Sequence, residues 1–217
     1  LRKKLLANND HIYVKDLGAG SRVVNTQKRK ISEIARTSIQ NRNIAQLLFK
    51  IVNHYELNNV VELGTSFGIT TSYLANARRN NGKVWTIEAS EEVSNIALSV
   101  FAKLKLNNIE LISGDFNDSL QAVLEKAKKV DLVYFDGNHK KQPTLCYFKQ
   151  CKEFAYSRSI FIFDDIYWSK GMKEAWEEIK TDEKVTLTID LFRIGIVFFH
   201  SVKVKRNFKI RGKINLV

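Results

Sequence analysis

The chain has 217 residues, 44% of them hydrophobic and 27% charged, which suits a single soluble globular domain with a full core. No apolar run reaches the roughly 18 residues of a membrane span, and residues 1–10 lack the apolar centre of a signal peptide. Two cysteines, Cys146 and Cys151, lie five apart on an expected helix; that spacing makes a poor disulfide and matches no metal motif, so a reducing, cytoplasmic setting is expected.

The net charge of +12 is unevenly placed. Residues 1–36 carry nine Lys/Arg against three acids, and residues 200–217 carry six Lys/Arg and no acid, while residues 37–199 balance. Basic ends attract nucleic acid, anionic surfaces or acidic substrates, although solvated terminal charge is the commoner outcome. The chain therefore divides into an N-terminal segment 1–37, a body 38–200 and a basic C-terminal extension 201–217.

Residues 42–56 read as an amphipathic helix with Ile44, Leu47, Leu48, Ile51 and Val52 on one face. Strands and helices then alternate. Val60 to Leu63 is a strand, residues 69–79 a helix, 83–87 a strand and 91–106 a helix capped by Ser90. Residues 109–113, 130–136 and 159–163 are further strands, separated by helices over 117–128 and 142–155, the latter with Pro143 in its first turn. A helix over 169–180 leads to strands 185–191 and 194–200. That last connection is too short for a parallel crossover, so the final pair is antiparallel. The pattern predicts an α/β fold with a Rossmann-like, mostly parallel sheet, helices on both faces and an antiparallel last strand. In such sheets ligands bind at the carboxyl ends of the strands.

The turn Glu62-Leu63-Gly64-Thr65-Ser66-Phe67-Gly68 leaves the first strand of the body. Counted from Gly64, a dinucleotide fingerprint fails at Ser66 and Ile69, and no Gly-Lys-Ser/Thr follows to make a phosphate loop. The form acid-x-Gly-x-Ser-x-Gly fits an S-adenosylmethionine turn, with Glu62 placed to meet the methionine ammonium. Gly64 and Gly68 allow close backbone approach, and Thr65, Ser66 and Thr70 complete this wall. Glu88 ends the next strand, where a carboxylate accepts from ribose hydroxyls, with Ala89 beside it. Gly114, Asp115 and Phe116 end the third strand and face the adenine, although Gly and Asp are also ordinary turn residues.

Asp136, Asp164 and Asp165 follow two apolar strands and would converge on one crevice. Unpaired carboxylates there repel, and Mg²⁺ or another divalent cation with oxygen ligands resolves the conflict; pairing with Arg or Lys, or capping of the next loop, is the alternative. His139, three residues beyond Asp136, is the candidate base, since an imidazole exchanges protons near neutrality; a purely structural histidine is the alternative. Asp136 completes the catalytic assignment.

Val61 to Thr70, Thr86-Ile87-Glu88, Phe135-Asp136-Gly137-Asn138-His139 and Phe163-Asp164-Asp165 together resemble the class I S-adenosylmethionine-dependent methyltransferases, in particular the metal-dependent catechol O-methyltransferase-like branch. The resemblance spans residues 38–200. The sequence Asp164-Asp165-Ile166-Tyr167-Trp168-Ser169 with Trp176, and the early Asp16 to Arg22, look like an uncharacterised bacterial subgroup of it. It implies a seven-stranded sheet, with Glu62, Gly64, Ser66 and Thr70 at the methionine, Glu88 at the ribose, Asp115 at the adenine, and Asp136, Asp164 and Asp165 at the cation. Two positions depart from the branch: Asp165 stands where Asn is usual, and His139 stands where a catalytic Lys is usual.

The expectation is O-methyl transfer to a hydroxylated small molecule, with the basic ends serving an RNA acceptor as the alternative. A homodimer is compatible with this reading, a non-catalytic binding protein on the same fold is the third reading, and a nicotinamide oxidoreductase is the most distant. The segment around Gly18-Ala19-Gly20-Ser21-Arg22 is expected to form a lid over the site.

Overall fold

A computed structural model describes residues 1–16, 25–78, 80–200 and 204–212. The predicted lid segment around Gly18 to Arg22 lies outside the described residues. The N-terminal part comprises α1 (Arg2–Leu6), an antiparallel hairpin of β1 (His11–Asp16) and β2 (Asn25–Lys30), and α2 (Ile31–Ser38). The body follows as α3 (Arg42–His54), β3 (Asn59–Leu63), α4 (Ile69–Ala77), β4 (Lys83–Glu88), α5 (Glu91–Lys103), β5 (Ile109–Ser113), α6 (Phe116–Ala127), β6 (Leu132–Phe135), α7 (Lys141–Lys152), β7 (Ile160–Phe163) and α8 (Lys170–Thr181). It ends with β8 (Leu187–Asp190), β9 (Gly195–Phe198) and β10 (Arg206–Lys209).

Eleven of the thirteen expected elements of the body appear within two residues of their predicted bounds, the helices ending at Lys103 and Lys152 stopping three residues early, and the sheet has the predicted character. Its order is β10-β8-β9-β7-β6-β3-β4-β5. The run from β7 to β5 is parallel, and β9 is antiparallel to both β7 and β8. The sheet has eight strands rather than the seven expected, because residues of the basic extension pair with β8 as β10, in parallel. All four residues of β10 are exposed, so no apolar pattern marked it as a strand.

Period-two alternation sorts the strand residues onto two faces. Val61, Leu63, Val133, Phe135, Phe161, Phe163 and Val197 pack with α6, α7 and α8. Val60, Leu132, Tyr134, Ile160, Ile162, Ile196 and Phe198 pack with α3 and α4. β6 and β7 are buried on both faces, as a central parallel sheet requires. A third cluster joins α2 to α5 through Ile31, Ile34, Phe67, Val93 and Phe101, with Ile12 and Val14 of the hairpin against it. The N-terminal part is thus packed beside the glycine turn. Among the described residues no helix is long and apolar enough to cross a membrane.

Gly195 opens β9 opposite Phe163 and lies against the face of the buried Trp176; a Cβ there would come within 2.6 Å of the indole. Gly195→Ala must displace a large ring in a close-packed core. We expect it to lower stability by about 1–3 kcal/mol, read as a fall in the urea midpoint at unchanged slope.

Candidate functional site

A cavity of about 320 Å³ lies at the carboxyl ends of β3, β4, β5, β6 and β7, where the topology places a ligand. Its walls include Gly64, Ser66, Glu88, Ala89, Asp115, Phe116, Asp136, His139, Asp164 and Asp165. Ten residues expected from the sequence are therefore brought to one space. Thr65 and Thr70 line a small recess that shares Gly64, Ser66 and Asp136 with the cavity. Glu62, Gly68 and Gly114 line neither.

Gly64 has φ +104°, and a Cβ on it would lie 2.2 Å from the carbonyl oxygen of Asp136. Only glycine lets the end of β3 pass so close to the end of β6. Gly68 has φ +72° and packs against Phe101, so it serves the entry into α4 rather than the cavity wall. Gly114 lies over Ser119, at the entry to α6. Three non-glycine cavity residues, Ser66 (φ +48°), Asn138 (φ +51°) and Asp165 (φ +51°), also adopt the left-handed conformation. Such backbone costs roughly 1–3 kcal/mol per residue and gathers at functional sites.

Glu88 is held from two sides. Its Oε2 accepts from the Ser66 N–H at 2.9 Å and its Oε1 from the Ser90 N–H at 3.1 Å. The carboxylate therefore ties the glycine turn to the start of α5. A carboxylate oxygen can accept more than one hydrogen bond. Asp115 caps α6, its Oδ1 accepting from the Asn117 N–H at 2.7 Å, while the residue also borders the cavity.

Glu62 is placed differently from expectation. It is fully buried under the turn, with Oε2 accepting from the Thr71 and Thr86 hydroxyls and Oε1 without a hydrogen-bond partner among the described residues. Burial pushes its carboxyl up to about 7, against the two threonine hydrogen bonds.

Asp136, Asp164 and Asp165 all line the cavity. Burial and the neighbouring Asp164 hold the Asp136 carboxyl well above the usual range, and burial and Asp165 raise that of Asp164, opposed by Arg193. His139 Nε2 lies 3.8 Å from Asp136 Oδ1. Of the other partners, an Arg or Lys beside Asp164 and Asp165 was the alternative expectation, although the sequence did not single out Arg193, and Gln40 was not foreseen. Gln40 Nε2 donates to Asp164 Oδ2 at 2.8 Å and to the Tyr134 hydroxyl at 2.9 Å. Arg193 Nε lies 3.7 Å from Asp164 Oδ1 and 3.5 Å from Asp165 Oδ1.

This donor set does not fit a divalent cation. Among the described residues no three His, Cys, Asp or Glu side chains are grouped to hold one. One Asp164 oxygen is already taken by an amide donor, and a guanidinium faces the other. The residues do fit a nucleoside cofactor: a glycine turn open to close approach, a backbone-anchored carboxylate at the end of β4, and an aromatic ring, Phe116, on the cavity wall.

Gln40 and Arg193 carried no motif. The topology held a signal for Arg193, because the turn between β8 and β9 must return to the carboxyl end of β7. Val14 and Arg29 of the N-terminal hairpin also line the cavity, as do Ser38 and Asn138. The Ser38 hydroxyl is 2.7 Å from that of Ser66.

Residues 61–166 match a family model described as a methyltransferase domain. A curated protein of Mycobacterium sp. (strain JLS), named "Putative O-methyltransferase", is 29% identical over 102 residues, a match that spans 46% of this chain and 46% of that protein. The solved O-methyltransferase of Bacillus cereus, in complex with SAH, has a TM-score of 0.65 at 23% identity over 76% of this chain and 89% of that one. TomG of Streptomyces achromogenes, an O-methyltransferase of tomaymycin synthesis in complex with SAM, has a TM-score of 0.69 at 17% identity over 78% of this chain and 87% of that one. At these identities the structural likenesses establish the fold, and the matched domain sits on the strands that build the cavity. Residues 61–166 thus match a methyltransferase domain, and the chain has the fold of these solved O-methyltransferases.

Proposed function

We propose that the protein transfers the methyl group of S-adenosylmethionine to a hydroxyl of a small molecule. The observation that carries this reading is the shared cavity, lined both by the anchored Glu88 and by the Asp136–His139 pair. The names of the relatives support oxygen as the accepting atom.

In this reading the turn from Gly64 to Gly68, with Thr70, flanks the methionine portion, Glu88 accepts from the ribose, and Gly114, Asp115 and Phe116 border the adenine. Glu62 supports the turn from beneath through Thr71 and Thr86. The cofactor supplies a methyl group on a sulfonium, displaced in line by the acceptor oxygen. His139 takes the hydroxyl proton, and Asp136 orients the imidazole. When bound, the cofactor would supply the methyl and keep the C–S electron pair as the O–C bond forms, while His139 would hold the hydroxyl proton. The protein gains chiefly by holding the two reactants in line. The N-terminal strands bring Val14 and Arg29 to the wall of the same cavity. Metal assistance, expected from the resemblance, is not carried into this mechanism, because Gln40 holds one Asp164 oxygen and the Arg193 charge lies 3.7 Å from the other, which has no hydrogen-bond partner among the described residues.

An RNA acceptor is the second reading, favoured by the basic strand Asn25–Lys30 that brings Arg29 to the cavity. It requires tRNA binding that weakens steeply with salt. No binding at low salt eliminates it.

Calorimetry should detect S-adenosylhomocysteine binding by the wild type. Glu88→Ala should weaken it by about 1.5–3 kcal/mol, the range for hydrogen bonds to a charged group. Absence of binding by the wild type would overturn the methyltransferase reading. In a labelled-methyl assay against catechols, small hydroxy acids and bulk tRNA, His139→Ala should lower turnover by about 10²–10⁴-fold, the usual contribution of a general base.

Glu62 yields a stability prediction. Its folded carboxyl titrates above the usual 4.5, at about 7, so between those values the folded state holds a proton that the unfolded chain has lost. Stability from this group therefore falls as pH rises through that window and levels off above it. The stability of Glu62→Gln relative to wild type should rise by about 3 kcal/mol from pH 4 to pH 8. A difference independent of pH would show that Glu62 is not perturbed.

A further inference from the structure

The cation of the acceptor end is a side chain. Asp164 and Asp165 lie side by side at the end of β7, beside Asp136 at the end of β6, and three carboxylates at one cavity wall demand compensation. A divalent ion would do this with converging oxygen lone pairs, about 2.0–2.1 Å from a Mg²⁺. Instead the Arg193 Nε lies between Asp164 Oδ1 and Asp165 Oδ1, at 3.7 and 3.5 Å. These are charge pairings rather than hydrogen bonds. A metal ion ligated by the same two oxygens would sit against a guanidinium that keeps its charge at any working pH.

The placement of Arg193 is built into the fold. Its carbonyl accepts from the Ile166 N–H at 3.2 Å, which ties the hairpin turn to the loop that carries both aspartates. The Tyr167 ring stacks on Phe192, with centroids 5.5 Å apart, and the Tyr167 hydroxyl donates to Asp190 Oδ2. Asp190 Oδ1 in turn accepts from the Phe192 N–H at 2.8 Å, and Phe192 holds the left-handed φ of +70°. Strain at one residue thus delivers its neighbour to the carboxylates. Gln40 takes the remaining Asp164 oxygen from the opposite side.

We propose that Arg193 is the resident counter-cation of the Asp136–Asp164–Asp165 cluster, and that the acceptor site works without a divalent metal. Arg193 is a positioning residue: it keeps the two β7 carboxylates in place beside Asp136 and His139. The proposal rests on the methyltransferase reading for the identity of the acceptor end.

Its test is a Mn²⁺ titration of the full chain, with and without S-adenosylhomocysteine, in which free Mn²⁺ is counted by electron paramagnetic resonance. Melting temperatures of Arg193→Gln and Arg193→Lys are measured alongside. The wild type should take up no Mn²⁺ at millimolar concentration. Arg193→Gln should melt below the wild type, and Arg193→Lys, which keeps the charge, should recover most of the loss. Stoichiometric Mn²⁺ uptake by the wild type would overturn the proposal, as would an Arg193→Gln that melts like the wild type. If Arg193→Gln does not fold, the wild-type titration and Arg193→Lys decide alone, with Mn²⁺ uptake by either counting against the proposal. Calorimetric binding of S-adenosylhomocysteine reports separately on the methyltransferase reading, so the two can fail independently.

Discussion

The site depends on the contact between Gly64 and the carbonyl of Asp136. β3 and β6 are neighbours in a parallel sheet, and the chain must leave both at the same edge. Side chains on both exits would fill the space between them. Gly64 removes the Cβ that would otherwise lie 2.2 Å from the Asp136 oxygen, and its positive φ turns the chain toward α4. The cofactor turn and the Asp136–His139 segment can then approach each other closely enough to share one cavity. Every later feature of the site, including the Glu88 anchor on Ser66, presupposes that the turn lies there.

The same crowding explains the unusual number of acids. Glu62, Glu88, Asp136, Asp164 and Asp165 lie at or under one edge of the sheet, and each is compensated in its own way. Glu88 receives two backbone N–H groups. Glu62 receives two threonine hydroxyls, which only partly offset its burial, so its carboxyl stays raised. Asp164 receives an amide and faces a guanidinium. Buried charge is tolerated only when paired or neutralised, and the partner at each position separates a supporting role from one that faces a ligand. On that basis Glu62 belongs to the architecture of the turn and Glu88 to the cavity.

Much of this was legible in the sequence, for a physical reason. Strands of a two-sided parallel sheet read as short apolar runs, and helices between them carry caps and a 3.6-residue period, so the elements from β3 to β9 follow from pattern alone. The residues just beyond each run then fall at the carboxyl edge, which is how Glu88, Asp115, Asp136 and Asp164 were found. Glu62 misled because it belongs to the strand itself: strand residues alternate between faces, and its side chain points into the protein toward Thr71 and Thr86 rather than into the cavity. β10 was illegible because all four of its residues are exposed and basic or polar save Phe208. Gln40 was illegible because its role exists only through contacts 94 and 124 residues away.

Arg193 shows where a topological argument exceeds a motif. A family pattern assigns roles to positions that align, and it reads the Asp164–Asp165 pair as metal ligands. The antiparallel pairing of β9 with β7 adds what the pattern omits: the turn before β9 must end beside Phe163, so a basic residue in that turn must meet the acids that follow Phe163. Arg193 is that residue, and the Ile166, Tyr167 and Asp190 contacts prevent the turn from swinging away. A guanidinium is not interchangeable with a divalent ion. It balances one charge, cannot be titrated away and binds through directed N–H groups. Arg193 so placed gives the acid pair a fixed positive charge at the wall of the cavity that Gly64 and Ser66 also line.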